Sequence, residues 1–526
     1  MIRVIPFLIF SIFSLYAQDK PNIFFFFADD WGRYASIYRE ADKATLNDVI
    51  QTPNIDRIAK EGVVFDHAFV NVASCGPCRA SLATSRYFWN CGSGAFLNNK
   101  GSNWKGYEDP FKSLPKFGDL LREGGYFTRK SRKTFTYSSS PNTAAEKAFG
   151  KVNYERYGLY VGEASIENER QKRHEEVVEN SRREMKKVLA GKPEGKPFFF
   201  TFGTINVHRP YTADSGKNLW GIHPDSLKGK IPSFLPDVPD IRRDFSDYLG
   251  EVMAIDLMLG AMLEELEHAG QLDNTIVILS GDHGIPGVPR GKSTCYDLAT
   301  RVSLMARWPK GIPAGRRVQD FVSVMDIGPT LLDMAGVDIP TNLDGVSFAK
   351  QLKTSKQGWI DRGRDEIIIG RERHVHHSRP GNLPYPMRAI RNKDYLYIHN
   401  FKPKRWPMGD PYLLNTENEP SYEDLHKSTY TTTRDLDASL TKAWLLTNRH
   451  EGAAKQSFDM TMGMRVVEEL YDLKKDPQQL INLALNPEYK TTLLKLRSKV
   501  DHTMKVTNDP RLNDDFDRLP WSDPAK

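Results

Sequence analysis

The stretch "PNIFFFFADDWG", residues 21–32, joins a continuous apolar run to two adjacent acids. A short run that is apolar at every position is typical of a strand buried on both faces, as in the middle of a parallel sheet. Asp29 and Asp30 then stand at the carboxyl end of this strand. In open α/β sheets, ligands bind beyond the carboxyl ends of the strands. The stretch therefore predicts a central strand with a polar site at its end.

Two later stretches repeat this pattern. "KPFFFTFGTI" (196–205) and "NTIVILSGDHG" (274–284) are apolar runs that end in polar residues. Between them, apolar residues recur at helical spacing and Gly270 closes the segment; they are Val252, Ile255, Leu259, Met262 and Leu266. Strands that alternate with helices predict an α/β fold with a large, mostly parallel or mixed sheet flanked by helices.

The composition changes after residue 365. Short strand-like segments follow, such as "DEIIIG" (365–370) and "DYLYIHN" (394–400), and a final helix is predicted from Glu488 to Met504. We expect one large domain over residues 19–365 and a smaller α+β domain, built on a short antiparallel sheet, over residues 366–526.

The first twenty residues, "MIRVIPFLIFSIFSLYAQDK", place one arginine before an apolar run from Val4 to Ala17. This run is shorter than the roughly 20 residues that cross a bilayer, and it resembles a secretory signal peptide. A buried first strand is the alternative. We expect residues 1–18 to be a cleaved signal peptide, no membrane span, and a periplasmic or secreted protein.

Charge argues against nucleic acid as a partner. The chain of 526 residues has 73 basic and 67 acidic side chains, a net charge of +6, and no long run of one sign. A cleft with a few arginines could still bind a small anionic ligand, because such a cleft would not change the total noticeably.

The stretch "SCGPCRAS", residues 74–81, has two incompatible interpretations. Cys-Gly-Pro-Cys is the redox dithiol of thioredoxin-like proteins, whereas Cys-x-Pro-x-Arg is the signal by which a cysteine is oxidised to formylglycine. The dithiol leaves Arg79 and the acidic pair without a role, and the chain is far longer than a redox module. In an exported protein, two disulfides among Cys75, Cys78, Cys91 and Cys295 would be the default, and conversion of Cys75 would leave at most one.

With its surroundings, the second interpretation resembles the formylglycine-dependent sulfatases of the alkaline phosphatase superfamily. Their signature is Cys-x-Pro-Ser/Cys-Arg followed by Thr-Gly-Arg, and this chain has Cys75, Pro77 and Arg79 followed by "TSR". The likeness extends from Pro21 to about Ala484. It implies an alkaline-phosphatase-like fold, sulfuric ester hydrolysis, and conversion of Cys75 to 3-oxoalanine by a formylglycine-generating maturation enzyme.

The resemblance also implies a bound Ca²⁺. Its ligands would be Asp29, Asp30, the modified Cys75, Asp282 and His283. A hard dication among carboxylates suits a sulfate ester, because it neutralises charge that develops on the sulfuryl oxygens. A histidine at position 283, where the family has Asn or His, leaves a different metal open. Taken alone, Asp29 and Asp30 could be a helix cap and a surface acid.

Catalytic roles follow from the same resemblance. "GYFTRKSRKTF" (125–135) supplies Lys133, "NVHRPY" (206–211) supplies His208, and "RGKSTCYDLATRV" (290–302) supplies Lys292. A hydroxyl of the hydrated formylglycine would attack sulfur while Arg79, Lys133 and Lys292 hold the sulfuryl oxygens. His208, with Lys292, would protonate the leaving atom. The family's histidine two residues after the lysine is Phe135 here, so the base that expels sulfate stays unassigned.

Within the family, the likeness is nearest to heparan N-sulfatases (sulfamidases) and to bacterial polysaccharide sulfatases such as ulvan-active ones. It rests on "DHGIP" and on "HHSRPGNLPYPMRAIRN" (376–392). We expect a sulfated oligosaccharide from an acidic algal polysaccharide as substrate, with N-sulfoglucosamine as the alternative. The expected substrate-binding residues are His376, His377, Arg388 and Arg33, and Trp31 and Trp89 are candidates to stack on a sugar ring.

Two other classes are weighed against a sulfatase. Phosphatases and phosphodiesterases of the same superfamily share the sheet and the metal-binding acids, but they use a Ser or Thr nucleophile and usually two zinc ions, so the Cys-x-Pro-x-Arg context argues against them. A non-catalytic carbohydrate-binding relative is the other class, and Phe135 is the sole feature that favours it.

Overall fold

The structure is a computed structural model that describes residues 20–42, 45–97, 104–149 and 156–525. The signal peptide predicted over residues 1–18 lies outside the described residues. Within them the chain forms two sheets, one of seven strands and one of four.

The large sheet is mixed and mostly parallel. Its strands run in the order β3-β4-β1-β5-β6-β2-β7, and β6 alone among them is antiparallel to its neighbours. Their bounds are β1 Asn22–Ala28, β2 Val63–Phe69, β3 Phe127–Arg132, β4 Phe198–Gly203, β5 Thr275–Gly281, β6 Leu304–Arg307 and β7 Arg316–Ser323. The stretches chosen from the sequence are β1, β4 and β5, three neighbours in the middle of the sheet.

The phenylalanine run of β1 explains its central position. Phe24 and Phe26 belong to the apolar core on one face of the sheet, and Phe25 and Phe27 to the core on the other. All four rings are fully buried. Because successive side chains of a strand point to opposite faces, a strand that is apolar throughout requires cover on both sides, and both faces are covered here.

Helices pack on the two sheets and on one another. Their bounds are α1 Pro53–Lys60, α2 Cys75–Thr84, α3 Pro110–Ser113, α4 Phe117–Glu123, α5 Ala144–Ala148, α6 Tyr157–Gly162, α7 Glu167–Gly191, α8 Ser215–Trp220, α9 Pro239–His268, α10 Asp297–Thr300, α11 Ile327–Met334, α12 Ala349–Lys353, α13 Tyr422–Lys427, α14 Leu440–Thr447, α15 Gly452–Thr461 and α16 Lys490–Val506. The predicted amphipathic stretch around Leu259 lies in α9, which begins at Pro239. Gly270, at φ +63°, follows its end.

The second sheet is antiparallel, in the order β11-β10-β9-β8. Its strands are β8 Glu366–Arg371, β9 Met387–Asn392, β10 Tyr395–Asn400 and β11 Glu468–Asp472. The predicted final helix is α16, displaced by two residues. Side chains of this sheet, Ile368 and Ile390 among them, belong to the same apolar cluster as Phe25. The predicted fold class is therefore confirmed, whereas the division into two domains stays a prediction.

Two further observations concern membranes and cysteines. No helix in the described part of the chain is long and apolar enough to cross a bilayer. Cys75, Cys78, Cys91 and Cys295 are all buried free thiols, so the structure contains neither of the disulfides that an exported protein would suggest by default.

Candidate active site

The centre of the site is built by the ends of β1 and β5. These neighbouring strands are parallel and in register up to Ala28 and Gly281, so the residues that follow them lie side by side. The backbone N–H of Asp30, which has a left-handed φ of 58°, donates to Asp282 Oδ1 at 2.8 Å. The side chains of Asp29, Asp30, Asp282 and His283 have no exposed surface. The two polar pairs predicted from the sequence thus form one buried cluster.

The ends of β3 and β4 add the next two groups. Arg132 pairs with Gly203 in register, and the N–H of the following Lys133 donates to the Gly203 carbonyl oxygen at 2.9 Å. Lys133 Nζ then lies 2.6 Å from Asp29 Oδ2. His208, in the loop after β4, is half-buried, and its Nδ1 is 2.6 Å from the Arg209 carbonyl oxygen.

Helix α2 brings Cys75 to this cluster. The helix begins at Cys75, after the extended residue Ser74. Cys75 Sγ lies 3.2 Å from His283 Nε2 and 3.8 Å from Asp30 Oδ1, and the residue is 2% exposed. Burial raises the pKa of the Cys75 thiol, and Asp29 raises it further. A thiol that stays protonated in this way is a poor nucleophile and a poor redox group.

Arg79, one turn further along α2, links the acids to each other. Its Nη2 donates to Asp29 Oδ1 at 2.9 Å, its Nε to Asp282 Oδ2 at 3.0 Å, and its Nη1 to the Lys133 carbonyl oxygen at 2.6 Å. The planar guanidinium, with its fork of donors, suits three such acceptors, and a lysine could not replace it. The arginine therefore fixes the separation between the β1 and β5 carboxylates.

Lys292 contacts a different acid of the cluster, Asp30. Its ammonium lies 3.0 Å from Asp30 Oδ1 and 3.3 Å from Asp437 Oδ2, and the side chain is 3% exposed. The next residue, Ser293, donates its N–H to the Ala73 carbonyl oxygen at 2.7 Å. The loop that carries Lys292 is thus tied to the residues just before Cys75.

The charges in the cluster shift one another's pKa values. Burial alone would raise the pKa of Asp29, but Lys133 and Arg79 outweigh burial and hold it well below the ordinary value. For Asp282 burial prevails, and its pKa is raised. Burial opposes a charged Lys292, yet Asp30 and Asp437 raise its pKa well above normal. Titratable groups perturbed by specific partners are typical of functional sites.

The donor set fits a divalent cation. Oxygens of Asp29, Asp30 and Asp282 lie within 4.8 Å of one another, and Asp30, Cys75 and His283 form an overlapping group. His283 Nδ1 is 3.1 Å from the Gly284 carbonyl oxygen, an acceptor for an Nδ1–H. Nε2 faces the carboxylates, 3.2 Å from Asp30 Oδ1 and 3.5 Å from Asp282 Oδ1, where it could ligate a cation. Three carboxylates and one imidazole suit a hard or borderline dication.

Two shallow hollows open beside the cluster. One, of about 430 Å³, is lined by Cys75, Arg79, Lys133 and Phe135, and the other, of about 460 Å³, by Asp29, Lys133 and His208 among others. They share Lys133. A small anionic group can therefore reach the cations, although Cys75 itself is buried.

The structure does not bring all the expected substrate contacts to this site. Arg388 is fully buried, with its Nε 2.6 Å from Asp509 Oδ2 and its Nη2 2.9 Å from Glu372 Oε1. The guanidinium links the segment around Glu372 to the segment around Asp509. Because Arg388 has no exposed surface, its position fits a structural role and not the expected contact with substrate. A sequence motif gives the residue type but not its burial.

Arg33 and the two tryptophans also lie in structural surroundings. Arg33 is 7% exposed, pairs with Asp42 at 2.6 Å and stacks on Tyr38, and it lines a different cleft of about 570 Å³. Trp31 is fully buried and donates to the Tyr34 carbonyl oxygen, and Trp89 is 1% exposed. Neither indole can therefore stack on a sugar. His376 and His377 are the more accessible pair, with ring centroids 5.0 Å apart.

Sequence reasoning missed two residues next to the cluster. His374 Nδ1 lies 2.9 Å from the hydroxyl of Ser74, the residue before Cys75. Asp437 contacts Lys292 and lies 3.8 Å from His374 Nε2. His374 belongs to the histidine-rich "HVHH" stretch and could have been chosen with its neighbours. Asp437 follows no strand and carries no motif, so nothing in the sequence singles it out.

Comparison with known proteins decides the family. Residues 21–337, more than half of the chain, match the family model described as Sulfatase. The chain belongs to the sulfatase family. Residues 290–443 of this sulfatase also match the model described as N-sulphoglucosamine sulphohydrolase, C-terminal. The chain is therefore a sulfuric ester hydrolase, as the resemblance implied.

Its relatives are distant but cover most of the chain. An ulvan-active sulfatase of Formosa agariphila is 25% identical over 94% of this chain and 76% of its own length. Human N-sulphoglucosamine sulphohydrolase is 25% identical over 95% of this chain and 93% of its own. Neither relative is similar enough to transfer a substrate.

Solved structures share the fold. A structure described as a complex with its substrate D-glucosamine-2-N,6-O-disulfate superposes with a TM-score of 0.57 at 19% identity, covering 93% of this chain and 98% of that one. A phosphonate monoester hydrolase of Agrobacterium radiobacter reaches 0.59 at 18% identity, covering 94% and 97%. Because a phosphonate monoester hydrolase shares the fold of this sulfatase, the fold does not by itself define the chemistry.

Proposed function

We propose that this sulfatase removes sulfate from a sulfated carbohydrate, an oligosaccharide of an acidic algal polysaccharide such as ulvan, with a formylglycine made from Cys75 and one bound Ca²⁺. The observation that carries the proposal is the position of Cys75 Sγ, within 4 Å of Asp30 and His283, in a cluster that also holds Arg79, Lys133 and Lys292. The ulvan-active and glucosamine-sulfate relatives support a sulfated sugar as the substrate class.

The charge balance of the site supports an anionic ester. The carboxylates of Asp29, Asp30 and Asp282 are offset by the three cations Arg79, Lys133 and Lys292. When bound, a dication would make the centre positive and neutralise charge on the sulfuryl oxygens, and the hydrated aldehyde at position 75 would supply the attacking hydroxyl.

Each cationic side chain has a separate role in this proposal. Lys133 is about one-third exposed and lines both hollows, so it meets the sulfuryl group as it enters. Arg79 is held between two carboxylates and fixes the site before substrate arrives. Donors that are already in place when charge develops contribute most to lowering the barrier.

His208 and Lys292 are the proposed proton donors to the leaving atom. His208 Nδ1 contacts the Arg209 carbonyl oxygen, which orients the ring. The Nε2–H of the doubly protonated ring would then be the donor to the leaving atom. Lys292 lies between Asp30 and Asp437. A proton donor must lie within hydrogen-bond reach of the departing oxygen or nitrogen. His208 lines the hollow beside Asp29, and in this proposal the departing atom lies between the two side chains.

N-Sulfoglucosamine hydrolysis is the second candidate. The match of residues 290–443 to the C-terminal model of that enzyme favours it, and this region contributes Lys292, His374 and Asp437 to the site. Cleavage of a sulfate ester and of an N-sulfate would use the same nucleophile and differ in the atom that His208 and Lys292 protonate.

Maturation and location complete the proposal. A formylglycine-generating enzyme would act on "CGPCR" at residues 75–79 before folding, because Cys75 is buried in the folded chain. Export to the periplasm or medium would follow from the predicted signal peptide.

The deciding experiment is production of the full chain together with a formylglycine-generating enzyme. We expect the tryptic peptide with Cys75 to show the mass of an aldehyde instead of a thiol, and the protein to release sulfate from ulvan digests or from heparin-derived N-sulfated disaccharides. Cys75→Ala should lower release by about 10³-fold or more. Cys78→Ser, a change at the neighbouring buried thiol, is the matched control and should keep both the aldehyde and the activity.

Either of two results would contradict this function. One is a Cys75 thiol that stays unmodified or is disulfide-linked to Cys78 in protein that still releases sulfate. The other is an aldehyde-bearing protein that releases sulfate from none of these saccharides.

A further inference from the structure

Asp437 lies at the edge of the active site without a role in the chemistry proposed above. Its Oδ2 is 3.3 Å from Lys292 Nζ, its Oδ1 is 3.8 Å from His374 Nε2, and its side chain is 14% exposed. His374 is buried and contacts the Ser74 hydroxyl through Nδ1. Asp437, His374 and Ser74 therefore form a chain of contacts that ends next to Cys75, and Asp437 is its partly accessible member.

The loop that carries Asp437 is held rigidly. Asp435, two residues earlier, is buried and accepts from Arg371 Nη2 at 2.7 Å and from the Ser378 hydroxyl at 2.7 Å. The fully buried Lys442 donates to the carbonyl oxygens of Thr432 at 2.8 Å and Leu436 at 2.9 Å. A buried lysine that donates hydrogen bonds to carbonyl oxygens fixes the backbone around them. The position of Asp437, the residue after Leu436, is therefore well defined.

Distances place Asp437 beside the reacting centre. Lys292 Nζ, 3.3 Å from the Asp437 carboxylate, lies 3.0 Å from Asp30 Oδ1, and Cys75 Sγ is 3.8 Å from the same Asp30 oxygen. Burial alone would raise the pKa of Asp437, but Lys292 and His374 hold that pKa well below the usual range. The Asp437 carboxylate is therefore charged and is linked to Cys75 through one lysine and one acid.

We propose that Asp437 determines specificity, by accepting a hydrogen bond from a hydroxyl or amino group beside the scissile sulfate and by repelling a second anionic group at that position. The inference rests on the proposed function and refines its substrate. A fixed carboxylate beside a site that binds an anion disfavours a substrate with a second anionic group next to the scissile sulfate. An active-site carboxylate that accepts a hydrogen bond from the substrate also discriminates strongly against an analogue without that donor group, because the carboxylate is then left unpaired.

The test compares two substrates that differ at one position. The first is the monosulfated disaccharide that the wild-type enzyme hydrolyses fastest in ulvan or heparin digests, and the second is the same disaccharide sulfated also at the neighbouring hydroxyl. We expect the aldehyde-bearing wild-type enzyme to prefer the first by about tenfold or more in kcat/KM. Asp437→Asn should reduce that ratio at least about fivefold, mainly through a lower KM for the disulfated substrate, because the negative charge is lost.

Two further variants keep the result interpretable. Asp459→Asn makes the same change at an exposed helix position in the same region and should leave the ratio unchanged. Asp437→Glu retains the charge and should restore the preference in part, even if the Asn variant folds poorly.

Three outcomes would overturn the inference. The wild-type enzyme could hydrolyse both substrates equally well. Asp437→Asn could slow both substrates by the same factor and leave the ratio intact, which would mean that Asp437 merely supports Lys292. If the aldehyde-bearing enzyme hydrolyses no monosulfated disaccharide of either digest, the proposed function fails, and the inference fails with it.

Discussion

At position 135 the chain has a phenylalanine where its family places a histidine. The ring is 4% exposed and lies 5.1 Å from Phe117, 5.2 Å from Tyr137 and 6.0 Å from Phe25, centroid to centroid. Although the residue borders the Cys75 hollow, most of its surface packs in the core. Position 135 therefore contributes packing in this sulfatase and offers no proton acceptor.

We predict that Phe135→His does not restore a base. The substitution should destabilise the fold by about 3 kcal/mol, because it removes aromatic contacts and buries a polar ring, and kcat for sulfate release should not rise. Phe135→Leu, the apolar control, should cost about 1–2 kcal/mol and leave kcat near that of the wild type. Guanidinium denaturation and initial rates measure both. A higher kcat in the His variant would show that this side chain faces the reacting group.

Single residues of the site were predictable to different degrees. Asp29 and Asp282 each follow a strand that the sequence identifies, and neighbouring parallel strands bring such positions together. Lys133 follows β3, which the hydrophobic pattern did not identify, and the family resemblance alone singled it out. Asp437 comes from an irregular loop whose path depends on the buried contacts of Lys442, which no local pattern reveals. Arg388 has the residue type of a substrate contact, yet its burial depends on the distant Asp509.

At the level of elements, helix α9 places four acids inside the protein. Asp244 is paired with Arg209 at 2.7 Å, and the other three lack such a partner among the ion pairs of the described residues. Asp247, Glu251 and Asp256 are each at most 3% exposed, and burial raises their pKa values to about 7, 8 and 6. The amphipathic pattern predicted this helix from its apolar face. It did not predict the buried acids, because Glu251 accepts from the backbone N–H of Gly158, far away in sequence.

We predict that Glu251→Gln stabilises the protein at alkaline pH. Below the unfolded pKa of about 4.5 both states are protonated. As pH rises towards 8, the unfolded chain releases a proton that the folded chain keeps, so stability falls over this range. Glutamine removes this loss and should add on the order of 3 kcal/mol at pH 8.5 but little near pH 4.5.

The matched control for this helix is Glu264→Gln. Glu264 is half exposed and pairs with Arg182 at 2.6 Å on the surface, so its replacement should change stability by less than about 1 kcal/mol at either pH. Urea unfolding at pH 4.5 and pH 8.5 measures both variants. An equal stability difference between wild type and Glu251→Gln at the two pH values would exclude a raised pKa.

At the scale of the whole molecule, the two sheets share a core and a site. Ile368 and Leu470 of the second sheet lie in the same apolar cluster as Phe25 and Phe27 of β1. The region after residue 365 also supplies His374 and Asp437 to the wall of the active site. We therefore expect the parts of the chain that the structure describes to unfold together, so that near-UV circular dichroism, intrinsic fluorescence and loss of sulfate release follow one transition.

Metal binding should shift that single transition. A dication at Asp29, Asp30 and Asp282 binds the folded chain alone, so Ca²⁺ at about 100 times its Kd should add about 2.7 kcal/mol, or about 2–3 °C in Tm for a chain of this size. Chelation should reverse the shift. Asp282→Asn should remove most of this increase in stability, whereas Asp338→Asn, at an exposed position, should retain it.

Two separate unfolding transitions, of which Ca²⁺ moves only one, would contradict this expectation. They would show that the C-terminal region folds independently of the metal site in spite of the shared core. A larger shift with Zn²⁺ than with Ca²⁺ would instead assign the dominant ligand role to His283, because an imidazole nitrogen suits zinc and a carboxylate oxygen suits calcium.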